Sequence, residues 1–279
     1  MESDGVNHKP LHLSLSPDTR QNMLADWHFY LAAIPAVILM GISKGGFAGL
    51  SVLSTPLLAL AISPVRAAAI MLPILIVQDA VSVWSYRHSF DKRTLALMLP
   101  GSMLGILLGW LLAARVSDAL VGLVVGLIAV AFVGLAMARG LGWLAAARAR
   151  RASAAPAAFW GTVAGFTSFI SHAGGPPFQV YALPLGLPTQ VYVGTTTLFF
   201  AVTNFVKLAP YLALGQFSRD NLTLSAVLFP LAIVSTLAGV WLVRRVSQEG
   251  FLRIIYALTF AVGCMLIWDG VAAMRLAAP

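Results

Sequence analysis

Six stretches of this chain, residues 66–86, 94–114, 118–138, 190–212, 221–243 and 250–274, each run for more than twenty residues with at most two charged side chains. A helix rising 1.5 Å per residue needs about 20 apolar residues to cross the hydrocarbon of a bilayer, so each stretch is long enough to span. Nothing else in the chain is able to cover them in water: 59% of the 279 residues are hydrophobic and 10% are charged, against about 25% charged in soluble domains. The fold class read from this is an all-α polytopic membrane protein. Soluble enzymes, collagen, disulfide scaffolds and disordered chains are excluded.

The net charge of +8 would suggest a nucleic-acid partner in a soluble protein. Here the basic residues sit in short loops between apolar runs, where they record membrane orientation, and no nucleic-acid partner is expected. Cys264, the one cysteine, lies inside an apolar run and reads as a small buried or lipid-facing hydrophobe. Residues 1–26 are polar, lack the basic start and apolar run of a signal peptide, and read as a mobile tail.

Four apolar pieces are too short to cross: 29–43 with 46–61, and 156–171 with 175–187, each pair joined at a Gly-Gly step. Such pieces suit half-helices, bent helices or re-entrant hairpins. They also expose a duplication. Gly45-Gly46 corresponds to Gly174-Gly175, Pro56 to Pro184 and Phe90 to Phe217, while Gly109, Leu112, Arg115, Val116 and Ser117 fall on Gly239, Leu242, Arg245, Val246 and Ser247 at one constant offset. The expected organisation is therefore a first transmembrane repeat over 27–138, a basic cytoplasmic linker over 139–155 carrying Arg139, Arg148, Arg150 and Arg151, and a second repeat over 156–279.

Each repeat holds a short pair and three full spans. A pair that enters and returns adds no net crossing, so each repeat is odd and its tandem copy is inverted. With the linker inside, the inner loops carry Arg87, Lys92, Arg93, the four linker arginines, Arg244 and Arg245, and both termini lie outside. Were each pair instead one broken helix, the repeats would be parallel. Gly101, Gly105 and Gly109 recur every four residues, with Ser235 and Gly239 at the equivalent places, a spacing that lets helices approach closely.

Few polar residues sit where lipid would not tolerate them. The first Gly-Gly step carries Ser43, Lys44, Gly45 and Gly46, and the second carries Ser171, His172, Gly174 and Gly175. Broken helices expose backbone N–H groups and positive dipole ends, which together favour an anion. Lys44 reads either as a binding cation or as a side chain snorkelling to the interface. His172 reads either as a ligand contact or as a neutral histidine satisfied within the fold, and Ser171 either as a hydroxyl donor or as a local cap. Thr196 and Thr197 precede Asn204 and Lys207 in one apolar span, and Thr197, Asn204 and Lys207 return to one helical face. A lysine at that depth costs ~2.5–3.5 kcal/mol and needs a partner or a wet cavity. The equivalent first-repeat span carries Gln78 and Asp79, and Asp79 reads either as the neutraliser of Lys44 or Lys207 or as a coupling group. Gln179 reads either as a substrate contact or as a cap on the broken backbone. No catalytic motif, metal-ligand spacing or dinucleotide fingerprint is present, so no catalytic residue, metal or cofactor is expected.

The glycine-rich steps SKGGF at 43–47 and SHAGGPP at 171–177, Pro56 and Pro184, the threonine run with Asn204 and Lys207, and the glycine-rich late spans together resemble the sulfite exporter TauE/SafE family of membrane proteins, over roughly residues 28–275. The resemblance implies transport of sulfite, sulfonates such as sulfoacetate, or related small anions across the bacterial inner membrane. In the family the first step is usually richer in glycine; a lysine at position 44 suits a larger or doubly charged anion. Physics agrees with export, because a negative interior expels anions by about 2.3 kcal/mol per charge per 100 mV without ATP. The expected protein is a secondary transporter working by alternating access on a small anion, a homodimer being compatible with it. An anion channel on the same scaffold and a non-transport intramembrane enzyme or assembly factor are the alternatives.

Overall fold

The computed structural model describes residues 26–47, 51–112, 117–140, 151–213 and 215–277. Residues 1–25 of the predicted N-terminal tail, Arg115, Val116, Arg148 and Arg150 lie outside them. Among the described residues the regular structure is entirely helical: α1 (Trp27–Gly45), α2 (Ser51–Ala59), α3 (Pro64–Tyr86), α4 (Lys92–Leu112), α5 (Asp118–Gly140), α6 (Ala154–Ser171), α7 (Gly175–Ala182) with a 3₁₀ turn at Leu183–Leu185, α8 (Thr189–Ala213), α9 (Arg219–Arg245) and α10 (Gln248–Ala277).

Seven of these helices are long and apolar enough to cross a membrane, one more than the six apolar runs predict. The addition is α1. The sequence reading ends its apolar piece at 43, before the charge of Lys44, yet the helix continues to Gly45 because that charge is neutralised inside the protein. At its other end Asp26 accepts a hydrogen bond from the His28 backbone N–H at 2.9 Å, capping the helix two residues earlier than expected. The other short pieces stay short, at 9, 18 and 8 residues for α2, α6 and α7.

Glycine governs which helices meet. A Cβ at Gly101 or Gly105 would overlap the carbonyls of Ala158 and Thr162, and one at Gly161 or Gly165 would overlap those of Met98 and Ser102. Helices α4 and α6 thus press backbone to backbone, in parallel, through small residues contributed from both sides. Helices α1 and α9 do the same, where Gly41 abuts Ser235 and Gly45 abuts Gly239. Each pair joins a helix of the first expected repeat to one of the second. Helices α5 and α10 meet in the opposite sense, Gly122 facing Leu266 and Gly126 facing Gly263.

The outer surface suits lipid. Trp110, Leu111, Phe205, Val234 and Trp268 are exposed, as is Cys264. Arg87 stacks on Trp84 and Arg245 on Trp241, at 4.1 and 4.3 Å from the ring centroids, at the ends of α3 and α9, where aromatic and basic residues mark a membrane–water boundary.

Candidate functional site

The polar residues singled out from the sequence converge at the turns that end α1 and α6. Helix α1 runs parallel to α3, tied to it by three hydrogen bonds: Gln78 Nε2 donates to the Val37 carbonyl at 3.2 Å, Ser82 Oγ to that of Lys44 at 2.9 Å and the Tyr86 hydroxyl to that of Gly45 at 2.7 Å. The last two satisfy carbonyls that the C-terminal turn of α1 would otherwise leave bare. They also hold Lys44 against Asp79, the ammonium 2.6 Å from Oδ1. The second carboxylate oxygen accepts a hydrogen bond from Asn204 Nδ2 of α8 at 2.6 Å. Asp79 is only 3% exposed, so this carboxylate is held by one ammonium and one amide across three helices. Lys44 does not snorkel; its ammonium also lies 5.5 Å from the Phe200 ring centroid.

Lys207 is fully buried. Its ammonium donates to the Ser168 carbonyl and to Ser168 Oγ, both at 3.1 Å, and among the described residues it has no carboxylate within ion-pair distance. Two neutral acceptors leave one of its three donors unused. Beside it α6 ends at His172, whose φ of 55° is the one positive value at a non-glycine among the described residues. The turn is closed by the Ala173 N–H donating to the Thr167 carbonyl at 3.2 Å. His172 is 8% exposed, and its Nε2 has no hydrogen-bond partner among the described residues.

These groups surround a cavity of about 40 Å³, lined by Ser43, Lys44 and Gly46 from the first break, His172 and Gly175 from the second, and Thr196, Thr197, Asn204 and Lys207 from α8. At roughly 10–15 Å³ per water it holds a few waters or one small polyatomic ion. The helical-face argument for Thr197, Asn204 and Lys207 thus places three side chains on one cavity. Met40, Leu75, Val193 and Phe200 form its apolar walls, and Ser51 and Ser168 complete the lining.

Several expected residues lie elsewhere. Gly45 packs on the backbone of Gly239, and Gly174 on Ala164, Ser168 and Phe200. Ser171 donates back to the Thr167 carbonyl at 3.3 Å, the local role of its two readings. Asp79 stands behind the lining, reaching the cavity through Lys44 and Asn204. Gln78 braces α3 on α1, and Gln179, fully buried, accepts from Thr259 Oγ1 at 2.5 Å. The second break also offers fewer backbone donors than a glycine step alone would. Pro176 and Pro177 carry no N–H, and the Phe178 N–H is taken by the Gly174 carbonyl at 3.2 Å. Ser51 and Ser168 are the polar lining residues that sequence reasoning missed; Ser168 lies in the last turn of α6, where its carbonyl and hydroxyl both reach Lys207.

Residues 33–266 match the family model described as Sulfite exporter TauE/SafE. No curated protein and no solved structure matches the chain. The matched region is most of the sequence, and the chain belongs to that family.

Proposed function

From membership of the sulfite exporter TauE/SafE family and from the cavity just described, we propose that this multi-pass membrane protein exports small sulfur-containing oxyanions, sulfite or organosulfonates, across a bacterial inner membrane by alternating access. The observation that carries the reading is Lys207. A fully buried ammonium with two neutral acceptors from Ser168 is a standing cost of several kcal/mol in a low-dielectric interior. A bound oxyanion offsets that cost, with Asn204 and Thr197 as neutral donors around it and the free Nε2 of His172 as a further polar contact.

The pattern of shared glycine interfaces supports alternating access. Helices α1 and α9, with α3 tied to α1, form one block and α4 and α6 the other; α8 packs on α3 and α4 and joins the two, bonded to Asp79 of α3 through Asn204 and to Ser168 of α6 through Lys207. The cavity lies between them, with Lys44 and Asp79 on the first block, His172 at the end of the second, and Asn204 and Lys207 on α8. Rocking the blocks about this junction opens the cavity to one side and then the other. The parallel register of α1 with α9 and of α4 with α6, and the antiparallel register of α5 with α10, support two repeats of inverted topology. The basic loops then face the cytoplasm and both termini the periplasm.

Liposomes containing the purified protein and loaded with sulfite, placed under an inside-negative potential, are expected to release the anion with saturable kinetics. Absence of any protein-dependent flux of sulfite, methanesulfonate or sulfoacetate overturns the proposal. Current that rises without saturation points instead to a channel.

A further inference from the structure

Two ammoniums and one carboxylate meet at the cavity: Lys44 and Lys207 line it, and Asp79 neutralises Lys44 from behind at 2.6 Å. With His172 neutral and Lys207 protonated, the form that binds an anion, the site holds one net positive charge. We infer that Asp79 sets the valence of the substrate, so that the site selects a singly charged oxyanion such as hydrogensulfite or an alkanesulfonate and disfavours a dianion such as sulfate or sulfoacetate. This narrows the functional reading above and rests on it. It also reverses what the sequence suggests at position 44, where a lysine read alone favours a doubly charged anion.

The geometry supports a specificity role. Asp79 is not a wall of the cavity, so it makes no contact that a substrate replaces. Its carboxylate is held at both oxygens, by Lys44 and by Asn204 Nδ2 at 2.6 Å, on groups that both face the cavity. An anion entering beside Lys207 meets a partner of full positive charge on α8 and an already compensated pair on α1 and α3. Its first negative charge completes Lys207. A second has no uncompensated cation left, and is placed near the Asp79 carboxylate in a medium where like charges repel strongly.

The experiment uses the full-length purified protein and two probes whose charge is constant across neutral pH because their parent acids are strong, methanesulfonate (one charge) and sulfate (two). Dissociation constants come from calorimetric titration at pH 7.5. The wild type is expected to prefer methanesulfonate. Asp79→Asn, which raises the site by one positive charge, should shift the ratio toward sulfate by at least tenfold, the scale of one added charge at this range and an effective dielectric near 20. Lys44→Met/Asp79→Asn removes the pair as a neutral unit and should restore the wild-type ratio, which a purely structural role for Asp79 does not predict. Should Asp79→Asn fail to fold, the double variant still decides, since a ratio tilted tenfold toward sulfate in it overturns the inference. Wild-type preference for sulfate, or an unmoved ratio in Asp79→Asn, overturns it equally. Wild-type protein that binds neither of these anions nor sulfite refutes the functional reading itself, and one that binds sulfite but not methanesulfonate overturns the inference alone.

Discussion

Replacing Gly45 by alanine tests the helix pairing on which the cavity depends. The added methyl would fall on Cα and the carbonyl carbon of Gly239 and on the backbone N of Val240. Backbone cannot yield by a rotamer change, so α1 and α9 must separate or shift along each other. Overpacking of this kind costs about 1–3 kcal/mol, and at roughly 2–4 °C per kcal/mol the melting temperature should fall by about 2–12 °C. The internal control is Gly134 on α5, where a Cβ meets nothing within 4 Å. Alanine there should raise stability by about 0.5–1 kcal/mol through helix propensity alone. Both variants are compared with wild type by thermal melting in one detergent, and each is then assayed for anion binding. Because Ser43, Lys44 and Gly46 flank the displaced glycine and line the cavity, Gly45→Ala should also weaken binding, and Gly134→Ala should not. Equal melting temperatures for the two variants would show that α1 and α9 do not meet at Gly45 and Gly239, and the reasoning would fail with them.

Other consequences follow from the same structure. Lys44→Met leaves the buried Asp79 carboxylate with Asn204 alone and should cost about 3–5 kcal/mol; adding Asp79→Asn should recover most of that loss, and a double variant no more stable than the single one contradicts the pair. Lys207→Met removes an ammonium with only neutral acceptors, so in anion-free buffer it should raise stability by about 1–2 kcal/mol while abolishing anion binding. A less stable Lys207→Met, or one that still binds methanesulfonate, argues against the site. Thr203→Val deletes the hydroxyl that meets Ser102 Oγ at 3.0 Å between α4 and α8, and should lower stability by about 1 kcal/mol with little change in affinity, measured by melting and titration.

The spans were legible in the sequence because hydropathy over 20 residues is a local property that the bilayer reads directly. The breaks at Gly45-Gly46 and Gly174-Gly175 were legible for a similar reason, since glycine and proline act on their own backbone. Burial of Lys207 with Asn204 and Thr197 along one side of α8 followed from helical periodicity. The end of α1 was not legible: a charge at position 44 reads locally as a boundary, and it ceases to be one only when a carboxylate 35 residues away in the sequence neutralises it.

Taken by itself, the sequence determines that this chain is a bundle of membrane helices with two glycine breaks and a handful of charges that lipid would reject. Only the tertiary structure decides how those charges combine. Asp79 had two lysines to choose between, and the hydrogen bonds from Gln78, Ser82 and Tyr86 to α1 bring Lys44 to it, leaving Lys207 on α8 to Ser168. The glycines of α4, α6, α1 and α9 are visible in the sequence, but which backbones they admit is a relation between surfaces distant along the chain. Local composition carries no information about such pairings, and the net charge offered to a ligand is set by them.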